Sequence, residues 1–388
     1  MKINKEKLLG FSLVDSDMSQ VDPKVSAKIG APGVDASINV DAASSIAVSS
    51  LNIVERQDSF IINTLDTDIF YDIYSYTDSQ LKTFHTSFSQ NKNKSVANIK
   101  KENGGQYNQF SLSQSFGKGG VDGDSKGSEG FKYNYNHSIA NISSYNPEKE
   151  LLWGGFVSVG STEVEADGNN SAQSKSNDFR VGFFAKNRIN SFMNGSALAA
   201  GSYSHLDLER PTAIGQADGK TNAYGVSAFL DLEVSGFSFF DRKVLVFPYV
   251  NMNYRFMSVQ DFSEKGGAAA HVDLNDSHQF ISNFGIKVKS KYKLYDYNSE
   301  LTLRLGWQHE YLGEQSISVS NLLPNAIPFL GNGPFVNKSP EIDPDTFDLS
   351  IAYGVTVSEN IVIEAFGSAK YNSQSYDSSA MLKVIYKW

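Results

Sequence analysis

From about residue 106 to its last residue, the chain changes character at every second position. In "QYNQFSLSQSFG" (106–117) Phe110, Leu112 and Phe116 share one parity, and in "FKYNYNHSIA" (131–140) Phe131, Tyr133, Tyr135 and Ile139 do. "FRVGFFAK" sets Phe179, Val181 and Phe183 against Arg180, Gly182 and Lys186. "YGVSAFLDLEV" sets Tyr224, Val226, Leu230, Leu232 and Val234 against Asp231 and Glu233. The same reading separates Val246, Val250, Met252, Tyr254 and Phe256 from Asn251, Asn253 and Arg255. It separates Phe284, Ile286 and Val288 from Lys287, Lys289 and Lys291, and Leu301, Leu303, Leu305, Trp307 and Tyr311 from Thr302, Arg304, Gln308 and Glu310. In "TFDLSIAYGVTV" Phe347, Leu349, Ile351, Tyr353, Val355 and Val357 oppose Asp348, Ser350 and Gly354. A period of two is the signature of β-strands with two different faces. With 151–160, 192–206 (where the face is ambiguous), 361–371 and 378–388, the reading gives twelve strands.

The solvent of the apolar face follows from the rest of the pattern. No window holds 18 consecutive apolar residues, so no membrane helix is present, and mean hydropathy is −0.32. Strands that are apolar outside and polar inside average to the same near-neutral value. The apolar parity carries large residues over lengths that cross a tilted bilayer, and the other parity is rich in Gly, Ser, Asn and single charges, as a narrow aqueous lumen requires. Long gaps ("GKGGVDGDSKGSEG", "STEVEADGNNSAQSKSND", "DLERPTAIGQADGKT", "DFSEKGGAAAHVDLNDS" and about thirty residues containing "LLPNAIPFLGNGPF") alternate with short ones such as "NRIN" and "SEN". That is the rhythm of long external loops and short periplasmic turns. The expected fold is all-β: a twelve-stranded antiparallel transmembrane β-barrel. A soluble sandwich explains the polar face less well, and no blade-length repeat supports a propeller.

The chain ends "SSAMLKVIYKW", in which Ala380, Leu382, Val384, Tyr386 and Trp388 form one stripe. In a barrel this last strand pairs with the first, its outward residues meet lipid, and the terminal aromatic sits at the interface. Leu382, Val384, Tyr386 and Trp388 therefore read as an assembly signal, a strand edge presented to outer-membrane assembly factors by β-augmentation. With no cysteine there is no disulfide, Cys-based zinc site or thiol nucleophile, which suits a chain crossing the periplasm unfolded. A net charge of −9 argues against nucleic acid as a partner. "MKINKEKLLGFSLVDSDM" lacks an apolar stretch of signal-peptide length, so a natural start further upstream is expected for an exported protein.

These features, with "FPYVNMNYRFMSVQDFSEKGG" (247–267), "LTLRLGWQHEYLG" (301–313) and the terminal stripe in that order, resemble the translocator domain of type V autotransporters of Gram-negative bacteria. The resemblance covers residues 106–388 and implies an outer-membrane barrel, embedded in lipid, built by the barrel-assembly machinery, acting as a monomer and exporting its own N-terminal passenger to the cell surface. It also implies a pore-spanning helix ahead of the first strand. The candidate is 49–76, with apolar Ile53, Phe60, Ile61, Leu65, Ile69 and Ile73 and the acidic Glu55, Asp58, Asp66, Asp68 and Asp72. Its β-branched content lowers helix propensity, and the link 77–105 is longer than usual for the family and lacks the Asn-Asn pair at which some members cut themselves. "IGAPGVDASINVDAAS" (29–44) looks like the tail of a subtilisin-like protease, which would place a protease's catalytic residues upstream of residue 1; otherwise it is an Ala/Ser-rich linker. The expected layout is passenger remnant or linker over 1–48, helix and link over 49–105, and barrel over 106–388.

The expected lumen residues are Lys132, Arg180, Lys186, Arg255, Lys287, Lys289, Lys291, Arg304, Lys370 and Lys383, against Asp231, Glu233, Glu310, Asp348 and Glu364. This makes a net positive interior facing a net negative helix. Within the barrel no catalytic constellation, metal site or cofactor motif is expected. H-E-x-x-H and G-x-S-x-G are absent, and "FGKGGVDGDSKG" lacks the Walker Lys-Ser/Thr and the EF-hand glutamate. His205 with Asp207 reads as a rim pair. The alternatives to a translocator are a porin-like channel and an outer-membrane enzyme barrel.

Overall fold

The computed structural model describes residues 27–31 and 34–38 and, from 107 to 388, all but 124–129, 168–171, 191–192, 213–214, 235–236, 240–243, 268, 275, 296, 313–315, 322–334 and 339–342. The expected pore helix, with Glu55, Asp58, Asp66, Asp68 and Asp72, lies outside the described residues. Ala27–Ala31 and Val34–Ile38 pair antiparallel.

Twelve strands make the barrel: β1 Tyr107–Val121, β2 Phe131–Asn146, β3 Leu151–Ala166, β4 Gln173–Asn190, β5 Met193–Thr212, β6 Gly215–Val234, β7 Val244–Val259, β8 Ser277–Leu294, β9 Tyr297–Leu312, β10 Asp345–Ser358, β11 Ile361–Tyr371 and β12 Ser375–Lys387. Each pairs antiparallel with its neighbours in sequence, and β12 pairs with β1 from Ser375↔Val121 to Lys387↔Gln109, which closes the cylinder, so each of the twelve wall strands has a partner on both sides. The seam ends at the last residue, where Asn108 N donates to Trp388 O and Trp388 N to Asn108 O, both at 3.0 Å. Turns such as Pro147–Glu150 and Glu359–Asn360 lie at the end shared with Asn108 and Trp388, and the longer connections lie at the other end. Short turns belong in the periplasm and long loops outside, so the Val121 end of the wall is the outer one. There Phe262–Ser263, Ala270–Leu274, Ser316–Asn321 and Phe335–Lys338 pair into a four-stranded loop sheet.

The strands are longer than the alternation suggested. β5 and β6 have 20 residues each, about twice the 9–11 that a tilted strand needs to cross a bilayer. Stretches read as loops, such as 161–166, 173–178 and 207–212, are paired wall. The reason lies in the outward faces. On β3 they run Trp153, Val157, Val159 and then Ser161, Glu163, Glu165; on β4, approaching from outside, Gln173, Lys175, Asn177 and then Phe179, Val181, Phe183. The register sets Val159, Phe179, Tyr203 and Tyr224 side by side, with Ser161, Asn177, His205 and Asn222 as the next row outward. The lower row is an aromatic girdle. The upper row is hydrogen-bonded along itself: Tyr203 Oη donates to Asn222 Oδ1 (2.8 Å), His205 Nδ1 lies 2.9 Å from the same oxygen, and Asn222 Nδ2 donates to Gln260 Oε1 (3.0 Å). Cross-strand ion pairs follow above it, Lys175–Glu163 at 2.8 Å and Lys220–Asp207 at 2.7 Å. The lipid boundary therefore lies between the two rows.

Beyond that boundary the two faces exchange roles. Outward positions are polar, and inward ones hold Ala166, Ala172, Leu206, Leu208, Ala223, Met257, Phe262 and Val272 in one buried cluster. A second cluster holds Val121, Phe131, Tyr133, Tyr135, Val164, Ala352, Phe366 and Met381. The apolar parity of β2 thus points inward over Phe131, Tyr133, Tyr135 and Ile139, contrary to the reading that set it against lipid. Lys132 is corrected with it. It lies on the outer surface, 65% exposed and 2.6 Å from Asp167, and not in the lumen. The ambiguous face of 192–206 resolves with Leu198, Ala200, Ser204 and Leu206 inward.

Candidate functional site: the lumen

The inner surface has two walls. On β6–β11 it is charged and hydrogen-bonded. Asp231 and Glu233 point inward from β6 because Leu230, Leu232 and Val234 take the lipid side. Lys287 of β8 reaches back across β7 to Glu233, and both side chains are almost fully buried (1% and 4% exposed). Arg304 of β9 reaches Asp231 at 3.3 Å and lays its guanidinium 3.8 Å from the Tyr249 ring centroid. The Tyr249 ring fits there because its neighbours in register, Gly285 and Gly306, have no side chains; a Cβ on either would collide with the Tyr249 hydroxyl. Tyr249 Oη donates to Asn283 Oδ1 (3.4 Å), and Asn283 Nδ2 donates to Asp348 Oδ2 (3.2 Å). Lys370 Nζ donates to Gln308 Oε1 (3.2 Å). Higher up, Arg255 Nη1 donates to Gln279 Oε1 and Gln279 Nε2 to Glu310 Oε1, both at 2.6 Å. Lys291 is half-buried, 3.8 Å from Glu300. Lys289 is buried with its ammonium 5.5 Å from the Phe247 ring centroid. Arg180, Lys186, Glu364 and Lys383 are buried on the inner face as well. Buried charges at such sites are tolerated when each is paired and hydrogen-bonded.

The opposite wall, on β2–β6, carries an apolar patch, in which Ile139, Tyr145, Leu152, Phe156, Phe184, Leu198, Ala200 and Phe229 are buried together, with Arg180 and Lys186 of β4 on the same wall. Sequence reasoning had given the inner face to polar residues throughout. It also undercounted acids. Glu300 and Asp377 are buried, and Asp178 accepts from Thr162 Oγ1 (3.2 Å) and Ser176 Oγ (3.1 Å) on the inner face. With Lys132 outside, nine basic residues named above face eight acids, so the interior is near balance and not strongly positive. Asp178 and Asp377 were lost to stretches read as loops. Glu300 was recoverable, since it continues the Thr302, Arg304, Gln308 parity by one step.

Outward positions follow the alternation. Trp307, Ile351 and Val384 are each 44–49% exposed, and on the terminal strand Leu382, Tyr386 and Trp388 are exposed too. The Tyr386 and Trp388 rings stack at 5.9 Å. His205 and Asp207 sit on the outer surface 3.9 Å apart, with Lys220 holding the carboxylate. At the outer mouth, Asp343 accepts from Ser373 Oγ (2.7 Å) and Asp345 N (3.0 Å). These bonds, the hydroxyl first, hold its carboxyl below the ordinary range and tie two connections together.

A family model described as autotransporter β-domain matches residues 112–368. This chain belongs to the autotransporter β-domain family. Solved autotransporter barrels share the fold. The translocator domain of NalP from Neisseria meningitidis aligns with a TM-score of 0.56 at 13% identity, over 81% of this chain and 98% of that one. The β-domain of the Bordetella autotransporter BrkA gives 0.53 at 11% identity, over 72% and 98%. An extracellular serine protease of Serratia marcescens is 25% identical over 173 residues, 42% of this chain and only 16% of that curated relative. As an autotransporter β-domain, the barrel is an outer-membrane translocator for its own passenger, a domain family that is not catalytic. The apolar outward face below the aromatic girdle is its lipid contact.

Proposed function

We propose that residues 49–76 thread the lumen as a helix, and that the barrel, built by the barrel-assembly machinery and working as a monomer, exports what precedes them. The observation that carries this reading is the pair of unlike walls. A segment between them meets Phe156, Phe184 and Leu198 on one side and the charged β6–β11 network on the other. The segment 49–76 carries residues of both kinds, apolar Phe60, Ile61, Leu65 and Ile69 and acidic Glu55, Asp58, Asp66, Asp68 and Asp72, interleaved around a helix and not sorted onto two faces. Lys287 and Arg304 are already held by Glu233 and Asp231, so the segment's acids add little to them; the charges set position and the apolar patch supplies most of the affinity. Planar-bilayer conductance tests it. The full chain should be nearly closed, and a version lacking residues 1–76 should conduct several-fold more, with weak ion selectivity because the lumen charges almost balance. Equal conductance would place the segment outside the lumen and favour a porin-like channel.

The passenger is proposed to be a subtilisin-like serine protease. The tail-like sequence 29–44 and the serine protease relative support this together. A fluorophosphonate probe should label the product of the longer reading frame at the cell surface. An unlabelled, intact passenger would overturn it.

A further inference from the structure

We infer that the bilayer thins beside β1 and β2, where a polar strip on the outward face takes water and outer-leaflet headgroups in place of acyl chains. The girdle row does not stop at Val159. Its register partner on β2 is Ser138, whose partner on β1 is Gln114, whose partner on β12 is Leu382. Val159 is eight residues from Leu151, the periplasmic start of β3, and Leu382 only six from Trp388. The row therefore descends into the bilayer as it crosses these strands. Val159 and Leu382 are 54% and 56% exposed, yet between them Ser138 is exposed and Gln114 half-buried on the same outward face. Ser138 Oγ donates to Gln114 Oε1 at 2.5 Å. In the next row outward Asn136 Nδ2 donates to Ser161 Oγ at 3.2 Å, and above it stand the exposed Asn134, Lys118 and Lys132.

The inward parity of β2 produces the strip. Phe131, Tyr133, Tyr135 and Ile139 take the inner side, so Asn134, Asn136 and Ser138 are left outside. Only Ala140 and Ile142 remain as an apolar outward run on this strand before Ser144. By contrast, β6 presents Tyr224, Val226, Ala228, Leu230, Leu232 and Val234 outward without a break, the length of about 9–11 residues that crosses a bilayer. Acyl chains offer amide and hydroxyl groups no hydrogen bonds. A belt shorter than the hydrocarbon layer is met by thinning of that layer. The strip is continuous with the water-facing outer wall at Asn134 and Lys132, so water and headgroups reach Ser138 and Gln114 from above without crossing an apolar surface. It also adjoins the β12–β1 seam, so the pairing that closes the barrel sits in a thinned film. Any role of that film in export rests on the translocator reading. The thinning itself does not, and its test uses the folded barrel with no passenger in transit.

The chain has no cysteine, so single cysteines in the full-length protein, reconstituted in palmitoyl-oleoyl phosphatidylcholine vesicles, report on water cleanly. Ser138 lies eight residues above Asn146, the periplasmic end of β2, and outward Met252 lies eight above Val244, the periplasmic start of β7. Rates with a water-soluble maleimide are normalised to the heat-unfolded protein, and Lys220→Cys, on the exposed outer surface, counts the molecules whose outer end faces the reagent. Ser138→Cys should react at least tenfold faster than Met252→Cys. With Ala140→Cys as the reporter, replacing Ser138 and Gln114 together by leucine should lower its rate at least fivefold. Ser138→Asn, close to leucine in volume, should leave that rate unchanged. Heat-modifiable migration on gels confirms an intact barrel in each case, and Gln114→Leu alone replaces the double variant if that does not assemble. A Ser138→Cys rate no higher than that of Met252→Cys overturns the proposal, whether an unthinned bilayer or a second copy of the chain covers the strip. An Ala140→Cys rate that the leucines leave unchanged overturns it as well.

Discussion

Lys287→Ala should destabilise the folded barrel by about 3–5 kcal/mol, the usual cost of removing one partner of a buried ion pair. The argument runs through Glu233. Its carboxylate is held by the Lys287 ammonium on a wall where both side chains are nearly fully buried, and the substitution leaves that charge without its closest counter-ion. Arg304→Ala should behave in the same direction, because Asp231 and the face of the Tyr249 ring both lose their cation. The pair as a unit is worth far less than either single loss implies. Replacing Lys287 by Met and Glu233 by Leu together removes both desolvation penalties and should recover most of the stability. Urea unfolding in micelles, followed by tryptophan fluorescence, measures all three. A single-variant loss below about 1 kcal/mol would mean that the pair is solvated like a surface bridge, and that this wall is wetter than its burial indicates.

Deletion of Trp388 should reduce the assembled, heat-modifiable barrel more than Trp388→Ala does. The backbone of Trp388 makes two hydrogen bonds to Asn108 that close the seam. At about 0.5–1.5 kcal/mol each, their loss costs roughly 1–3 kcal/mol at the place where the last strand meets the first. Alanine keeps these bonds and removes only the indole, stacked on Tyr386 and exposed at the lipid interface. Yield measured by gel shift under low expression should therefore rank wild type above Trp388→Ala and that above the deletion. Equal yields from all three would remove the terminal residue from assembly.

Much of this architecture was legible because a strand in a bilayer wall has one lipid face and one lumen face, and alternation records both. Trp307, Ile351 and Val384 against Arg304, Asp348 and Lys383 needed nothing more. The pattern misleads where the lipid stops. Above the row Val159, Phe179, Tyr203, Tyr224, water replaces acyl chains outside, a packed core replaces the lumen inside, and the same period carries the opposite sign. The aromatic parity of β2 was therefore assigned to lipid, and Lys132 to the lumen. The polar outward faces of β3–β6 looked like loops for the same reason, which hid Asp178. The buried ion pair of Arg210 on β5 with Glu264 was out of reach for another reason. Its two members are 54 residues apart, and although Glu264 sits in the "DFSEKGG" stretch that carried the family resemblance, nothing local names its partner.

The central claim is that this barrel carries its own N-terminal polypeptide across the outer membrane, and the location of residue 1 tests it most directly. With an epitope placed ahead of Met1 of the full chain in intact Gram-negative cells, external protease should remove the epitope from nearly all assembled molecules and leave the barrel protected. Assembled, heat-modifiable barrels whose epitope is reached only after the outer membrane is broken would contradict it.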